Sequence, residues 1–514
     1  MPLLTDYHTC ADAQIHCNPA ALWALFDGDR AHFNIAHECV DRHVAAAQTA
    51  VIVAHAAGHD EQIGYADLAR DSSRFAHWLQ AQGIAPGNRV AVMLEPSRAF
   101  YVSIFGAMKM GAIAVPLFTL FGPDGLKLRV QDCAARLLVT NAEKAPTAAD
   151  LSDLQVLVVD DSFDALLAPH APLFQCATRA DDMAMYQYTS GTTRELPEAV
   201  RHTHRSIVTL MLAALYGTGL RPGDRYFCPS SPAWGHGLWH GTLAPMALGL
   251  TIGAYAGRFD AGRLLRALQD HAFTNIAAAA THYRMIRHSN LAGQYRHSLR
   301  KLSFTGEPLD TDTAIFLREH FGLEAASMYG TTELGVVLVS YPGAPDFTLR
   351  RGSLGKPVPG VRVEVHDAQG QICAPGVVGG MMVWRRNGWI ATRDLGRTDE
   401  DGYFYHAGRA DDVIISAGWT MSAVEIEDSI LKHPAVLEAA AIGVPDALRG
   451  QIVKAFVVAR VVGSDGLIRE IQDLVRTNLA QHEYPRQIEF VAELPKTPAG
   501  KINRKVLRER QAGR

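Results

Sequence analysis

Residues 89–117 read RVAVMLEPSRAFYVSIFGAMKMGAIAVPL, and this stretch decides the fold class. Residues 89–94 are a short β-rich run, residues 98–110 space their apolar side chains as a helix does, and residues 112–117 return to a β-rich run. A strand, a helix and a second strand in immediate succession argue for two parallel strands with the helix as the crossover. The neighbouring sequence repeats the pattern. Residues 65–83 (YADLARDSSRFAHWLQAQG) predict a helix that stops at Gly83, and LLVTN (137–141) and VLVVDD (156–161) predict two more strands. The alternation predicts an α/β protein with parallel sheets covered by helices.

After about residue 350 the texture changes. VRVEVHD (361–367), GGMMVW (379–384) and GYFYHAGR (402–409) follow one another with Gly-rich turns, which predicts a small antiparallel or barrel-like region. The end of the chain returns to mixed α/β: helix 423–432, strands 437–444 and 451–460, helix 466–480 and strand 487–491. That is enough for a small separate domain. We place the division at a short hinge near Gly408–Asp411, giving domains 1–407 and 408–514.

At 514 residues the chain exceeds what one core usually organises. With 48% apolar and 20% charged residues it has the composition of an ordinary globular protein. The formal net charge of −4 gives no basic field for nucleic acid or an anionic membrane, so a polyanion would need local geometry. Seven cysteines, at 10, 17, 39, 133, 176, 228 and 373, include no CxxC pair and are odd in number, which predicts a reducing cytoplasm. The N-terminus carries no secretory pattern, and the apolar stretch 101–121 is broken by Lys109, Gly111 and Pro116, so no membrane span is expected.

Four stretches carry the chemistry. Tyr188-Thr189-Ser190-Gly191-Thr192-Thr193 follows the probable strand MAMYQY and sets hydroxyl groups around a glycine. Such a loop can surround phosphate oxygens with N–H groups and hydroxyls, although a plain Ser/Thr-rich turn has the same composition. Tyr329-Gly330-Thr331-Thr332-Glu333 joins an aromatic ring, hydroxyls and a carboxylate. Asp394, within WIATRDL, and Arg409, within GRADD, put an acid and a base fifteen residues apart, and LPKTPAGKINR ends with Lys501 on a Gly-containing turn. Singly, each has a structural explanation: a solvated acid, a surface pair, an exposed lysine.

Together and in this order, they resemble the acyl-adenylate-forming superfamily of acyl-CoA synthetases, adenylation domains and beetle luciferases, over roughly residues 34–508. Within it, NIAHECVDRH (34–43), GSLGKPVPGVRVEV (352–365) and YPRQIEFVAELPKTPAGKINRKVLR (484–508) are similar to the acetyl-, medium-chain-acyl- and benzoyl-CoA ligase branch. The resemblance implies an ATP-dependent carboxylic acid–CoA ligase that forms acyl-AMP and pyrophosphate, then transfers the acyl group to coenzyme A.

It also implies residue roles. Thr189, Ser190, Gly191, Thr192 and Thr193 would grip the β- and γ-phosphates, and Gly306, Glu307 and Pro308 with Tyr329 would sandwich the adenine, beside Gly330 and Thr331. Thr332 would contact the α-phosphate, and Glu333 would hold Mg²⁺, a hard cation suited to carboxylate oxygen. Asp394 would accept from the ribose hydroxyls, with Arg409 nearby, and Lys501 would bridge the acid's carboxylate and the α-phosphate. Asp411 falls at the hinge about which a mobile C-terminal domain would alternate, and Gly418 and Trp419 match the loop lining the coenzyme A tunnel. Partners would be the acid, ATP and coenzyme A, without nucleic acid; a homodimer stays open. So do loading of a carrier-protein thiol and a nucleotide-binding pseudoenzyme.

The chain departs from the family pattern in two places. After TSGTT it runs Arg194-Glu195-Leu196-Pro197-Glu198, with Glu198 where a lysine is usual, so Arg194 or Arg201 is expected to supply the missing charge. Arg393 replaces the glycine before the ribose acid. The acyl pocket is expected at Trp234, His236, Gly330 and Val336. Acetate-specific relatives carry a tryptophan at the place of Gly330, so its absence predicts a widened pocket and an acid larger than acetate: medium-chain, branched or aryl.

Overall fold

The computed structural model of the chain describes all residues except 1, 189–198, 307, 332–333, 386–387, 410–413, 417–418, 422, 447–449, 480–483, 498–501 and 513–514; for 409, 415–416, 419–420, 450 and 512 it describes the backbone alone. The chain falls into two compact units, one of Met1–Thr305, Leu317–Leu349 and Val358–Gly360, the other of Gly306–Phe316, Arg350–Pro357 and Val361–Arg514.

The first unit holds two sheets. One contains Asp60–Gly64, Thr49–His55, Thr251–Ala256, Arg225–Cys228, Asn275–Ala279, Lys301–Thr305, Ala325–Thr331 and Gly335–Val339 in that order. Its inner strands are parallel, and Asp60–Gly64 and Gly335–Val339 pair antiparallel at the two ends. The strands Thr251–Ala256 and Asn275–Ala279 are buried at every residue, the signature of a sheet covered on both faces.

The other sheet runs Gln155–Val159, Ala135–Asn141, Arg89–Met93, Ile113–Pro116, Met183–Tyr188 and Ala199–Thr203, parallel until the last pair. The expected unit at 89–117 is present: strand Arg89–Met93, helix Arg98–Lys109 and strand Ile113–Pro116, with the two strands parallel. Ser97 caps the helix by accepting from Phe100 N at 3.3 Å. Lys109, which breaks the apolar run, is fully buried; its ammonium bonds Asp41 Oδ1 at 2.5 Å and Ala69 O and Ser73 Oγ, each at 2.9 Å. Its charge is compensated inside the core. Among the described residues no helix is long and apolar enough to cross a membrane.

The stretch 34–43 is a staple. Asn34 caps helix Ile35–Cys39 and donates to Met108 O at 2.7 Å and Thr178 Oγ1 at 2.9 Å. Glu38 is fully buried, accepting from Gly28 N at 2.8 Å and Asp27 N at 3.1 Å, and pairs with Arg42 at 2.8 Å. Arg42 also donates to Leu25 O and Ala247 O. These residues join distant segments of the unit and fill their hydrogen-bonding capacity doing so.

The second unit carries the antiparallel ladder expected after residue 350, in the order Val363–His366, Gly379–Arg385, Gly388–Thr398, Phe404–Arg409 and Ser353–Pro357. Farther along lies a three-stranded sheet of Val436–Asp446, Gly450–Ala459 and Gln487–Phe490, with helices Ala423–Leu431, Asp465–Asn478 and Arg504–Ala512. Ile414, Met421, Ile426, Ile430, Ile471 and Val475 share its core.

Candidate active site

In the first unit, strand Met183–Tyr188 ends where the phosphate loop is expected. Tyr188 pairs with Ala199 across an antiparallel ladder, so the intervening residues connect two adjacent strands. Thr189, Ser190, Gly191, Thr192, Thr193, Arg194 and Glu198 themselves lie outside the described residues. Tyr188 anchors the strand end: its hydroxyl lies 2.6 Å from Asp132 Oδ2 and 2.8 Å from Arg129 O, and burial pushes the phenol well above its ordinary range. Arg201, on the returning strand, places its guanidinium 5.2 Å from the Tyr186 ring centroid.

One residue before Tyr188, Gln187 turns into the protein interior, where its side-chain oxygen accepts from Trp239 Nε1 at 3.0 Å. Trp239 belongs to a π-helical segment, His236–Leu243, that directly follows Trp234 and Gly235. π-helical turns are rare and concentrate at functional sites. Here close packing shapes the turn: a Cβ on Gly237 would lie 2.2 Å from Ser231 O. The expected acyl-pocket residues Trp234 and His236 thus meet, with ring centroids 5.5 Å apart, in a cluster that also contains His240, 5.8 Å from His236, and His202, 4.6 Å from Trp239. Burial pushes His202 and His240 down to about 4, so both imidazoles are neutral at pH 7. Sequence reasoning missed Gln187, His202 and His240; an inward polar residue in an apolar strand was the available signal for Gln187.

Tyr329, Gly330 and Thr331 close the carboxyl end of strand Ala325–Thr331, and Val336 sits opposite Gly330 on the returning strand. Thr305 Oγ1 donates to Met328 O at 2.7 Å, tying together the ends of two adjacent parallel strands. Ligands of open α/β sheets bind at that end. The structure corrects one expectation here. A Cβ on Gly330 would lie 2.1 Å from Gly335 O and 2.7 Å from Val336 Cα. The missing side chain therefore opens no space for an acyl tail; it lets the returning backbone pass. Thr332 and Glu333 lie outside the described residues, as does Glu307 beside Gly306 and Pro308. Gly306 has a φ of +94°. His282 packs on Phe259 at 4.7 Å, and the Tyr283 hydroxyl donates to Ser303 O at 2.8 Å, a core bond.

In the second unit, Asp394 and Arg409 are paired partners on adjacent antiparallel strands. Asp394 is buried, and its Oδ1 lies 3.8 Å from His406 Nε2. A bulge aims this carboxylate: Ala391 pairs with Met382 and Leu395 with Gly380, so Thr392, Arg393 and Asp394 together face Met381. Thr392 Oγ1 donates to Met381 O at 3.0 Å and accepts from Asp394 N at 3.1 Å. Arg393 has a φ of +67°, a left-handed conformation that a glycine at this place would adopt without strain. Asp411, Gly418 and Lys501 lie outside the described residues, and Trp419 is described by its backbone, paired with Ser416.

A groove also opens at the carboxyl ends of strands 89–93, 135–141 and 155–159, beside Glu61, Glu95, Arg98 and Asp164. Arg98 is already held by Asp71 at 2.7 Å and Asp164 at 2.6 Å, and the lining includes none of the expected site residues.

With this geometry in place, the comparisons with known proteins decide the family. Residues 40–390 match the AMP-binding enzymes, and residues 425–501 match the AMP-binding enzyme C-terminal domain. The chain belongs to the AMP-binding enzyme family. It is similar to a Bacillus subtilis protein described as the uncharacterized acyl–CoA ligase YtcI, at 31% identity over 93% of this chain and 96% of that one. It is likewise similar to the acetyl-coenzyme A synthetase of Bacillus subtilis, at 31% identity over 92% of this chain and 90% of that one. Among solved structures, a benzoate CoA ligase from Burkholderia xenovorans LB400 has 29% identity and a TM-score of 0.81, covering 93% of this chain and 100% of that one. This AMP-binding enzyme is therefore an acid–thiol ligase of the acyl-CoA synthetase type, using ATP and coenzyme A.

Proposed function

We propose that this ligase activates a monocarboxylic acid larger than acetate, with an uncharged tail, as its acyl-adenylate and passes the acyl group to coenzyme A. The carrying observation is the cluster of rings at Trp234, His236 and Trp239 beside Gln187, with the flanking imidazoles neutral. Such a surface suits apolar or aryl area and offers a second carboxylate no counter-charge.

In this reading Thr189 to Thr193 hold the terminal phosphates, Gly306, Glu307, Pro308 and Tyr329 bound the adenine, and Gly330 and Thr331 continue that edge. Asp394 accepts from the ribose hydroxyls, Arg409 lies opposite it in the ladder, and Thr332 contacts the α-phosphate. Lys501 neutralises the charge that gathers as the carboxylate attacks; that carboxylate is already ionised at neutral pH, so no general base is required. Glu333 would hold Mg²⁺, whose contribution is charge neutralisation on the phosphates. Among the described residues no cluster of His, Cys, Asp and Glu forms a metal site.

The small domain from residue 408 would turn about Asp411 between the half-reactions, bringing Gly418 and Trp419 to the thiol's path. The seven cysteines are thiols, none in a disulfide, which fits a cytoplasmic enzyme. The deciding experiment measures thioester formation with acetate, butyrate, hexanoate and benzoate. The proposal expects butyrate, hexanoate or benzoate to exceed acetate in kcat/KM; acetate as the best substrate overturns it.

A further inference from the structure

In the sequence Lys501 belongs to a segment whose two ends are both fastened to one strand of the second unit. Lys496 pairs with Ile502 in an antiparallel bridge, and Asn503 N donates to Pro495 O at 2.7 Å, so the chain leaves and returns at one place. On the incoming side Lys496 Nζ donates to Glu438 Oε1 at 2.9 Å. On the outgoing side lies Arg504, three residues beyond Lys501 and the first residue of helix Arg504–Ala512. Its Nε donates to Glu427 Oε1 at 3.0 Å and its Nη2 to Glu427 Oε2 at 2.5 Å, the two parallel bonds of a bidentate pair. Glu427 Oε1 also accepts from Ala441 N at 2.7 Å. Glu438 and Ala441 both lie on strand Val436–Asp446.

The two fastenings differ in strength. Lys496 and Glu438 are each 39% exposed, and an ion pair so open to water holds little. The side chain of Glu427 is 8% exposed and that of Arg504 19%, so this pair is tight and sensitive to the loss of either member. The position of Arg504 is also costly to its helix. Unpaired N–H groups at a helix start disfavour a cation, and helix stability alone would favour an uncharged or acidic residue there. The buried carboxylate of Glu427 accounts for the arginine.

A lysine ammonium is a point charge on a flexible stem, so where it can act depends on the backbone that carries it. Misplacing a reacting group by about 1 Å costs on the order of 100-fold. We infer that Glu427 is a positioning residue for adenylation: acting through Arg504, not on the substrate, it holds the backbone from which Lys501 reaches the acid's carboxylate and the α-phosphate. This rests on the role proposed above for Lys501. It makes Glu427 matter to the half-reaction that uses the lysine, and not to the one in which the thiol displaces AMP.

The test separates the half-reactions on the full-length enzyme. Adenylation is read as the single-turnover rate of pyrophosphate release with ATP and whichever of acetate, butyrate, hexanoate and benzoate the wild type uses best. Acyl transfer is read as thioester formed from the chemically prepared adenylate of that acid and coenzyme A. Glu427→Gln keeps the size and one acceptor but removes the charge, and Arg504→Lys keeps the charge but removes the fork. Each should slow adenylation about 10- to 100-fold and leave acyl transfer within about twofold of wild type. In a Lys501→Ala background, Glu427→Gln should add less than about twofold, because residues that act as a unit are not additive. The inference is overturned if neither variant slows adenylation, if both half-reactions fall together, or if the effects of Glu427→Gln and Lys501→Ala multiply. Should Glu427→Gln fail to fold, Arg504→Lys decides by the same measurements. If Lys501→Ala alone adenylates as fast as wild type, the lysine reading fails and this inference with it.

Discussion

Asp394 stands opposite Arg409 in the antiparallel ladder of the second unit, a buried carboxylate paired in register with the final residue of the neighbouring strand. If this carboxylate accepts from the ribose, Asp394→Asn removes a charge-assisted acceptor worth about 1.5–3 kcal/mol, or roughly 10- to 150-fold in kcat/KM for ATP. The wild type should also prefer ATP to 2′-deoxy-ATP, and the variant should lose that preference. Steady-state kinetics with both nucleotides checks this, and an undiminished preference in Asp394→Asn counts against the role.

Much of this fold was legible in the sequence because strands covered on both faces must be continuously apolar and helices between them must alternate. The run 89–117 follows that rule. The hydroxyl-rich and acidic motifs were legible as chemistry, but the bonds that position them were not. Gln187 meets Trp239 from 52 residues away, and no local period announces such a partner. The bulge behind Asp394 was equally hidden, since it depends on Met381 of the facing strand. Gly330 shows the opposite failure: an absent side chain suggested space, and the returning backbone fills it.

Arg393 holds a left-handed φ that costs an ordinary L-residue about 1–2 kcal/mol. Arg393→Gly removes that cost and forfeits about 0.5–1 kcal/mol of unfolded-state entropy, so it should be neutral to slightly stabilising. Arg393→Val, branched at Cβ, should be clearly destabilising. Urea unfolding of the three proteins should rank them Gly at or above Arg, and Arg above Val; equal midpoints for Arg and Val would contradict the strain.

Gly330 tests the corrected account of the pocket. If the glycine were only an opening, Gly330→Ala would trim the acid range and leave the protein sound. With Gly335 O 2.1 Å from the new methyl, the alanine must instead displace the hairpin, which carries Tyr329 and leads into Thr332 and Glu333. Activity should fall for every acid tested, short and long alike, by at least tenfold. A variant that merely shifts preference toward acetate would restore the opening.

Glu38 should be among the most sensitive stability positions. Glu38→Ala strips Asp27 N and Gly28 N of their acceptor and leaves Arg42 without its buried counter-charge. Breaking a buried pair from one side costs about 3–5 kcal/mol. Glu38→Gln retains an acceptor and should cost less. Chemical denaturation of the full chain orders the two, and a Glu38→Ala midpoint equal to wild type rules out the staple.

The buried histidines set the acid limit of stability. Burial holds His43, His202, His204, His240 and His282 at about 4, below the ordinary value near 6.5. Above pH 6.5 these side chains are neutral in both the folded and unfolded chain and contribute no pH dependence. As pH falls through 6.5 the unfolded chain takes up protons that the folded protein refuses, so stability is lost progressively down to about pH 4. His204 offers the cleanest check: it is fully buried, and its Nδ1 accepts from Ile35 N at 3.0 Å. The urea midpoint should be flat between pH 7 and 8 and fall steadily from pH 6.5 to 4.5 in the wild type. His204→Asn, which keeps a hydrogen-bonding side chain and removes the titration, should begin less stable and show a shallower slope; an unchanged slope would exclude His204 from the effect.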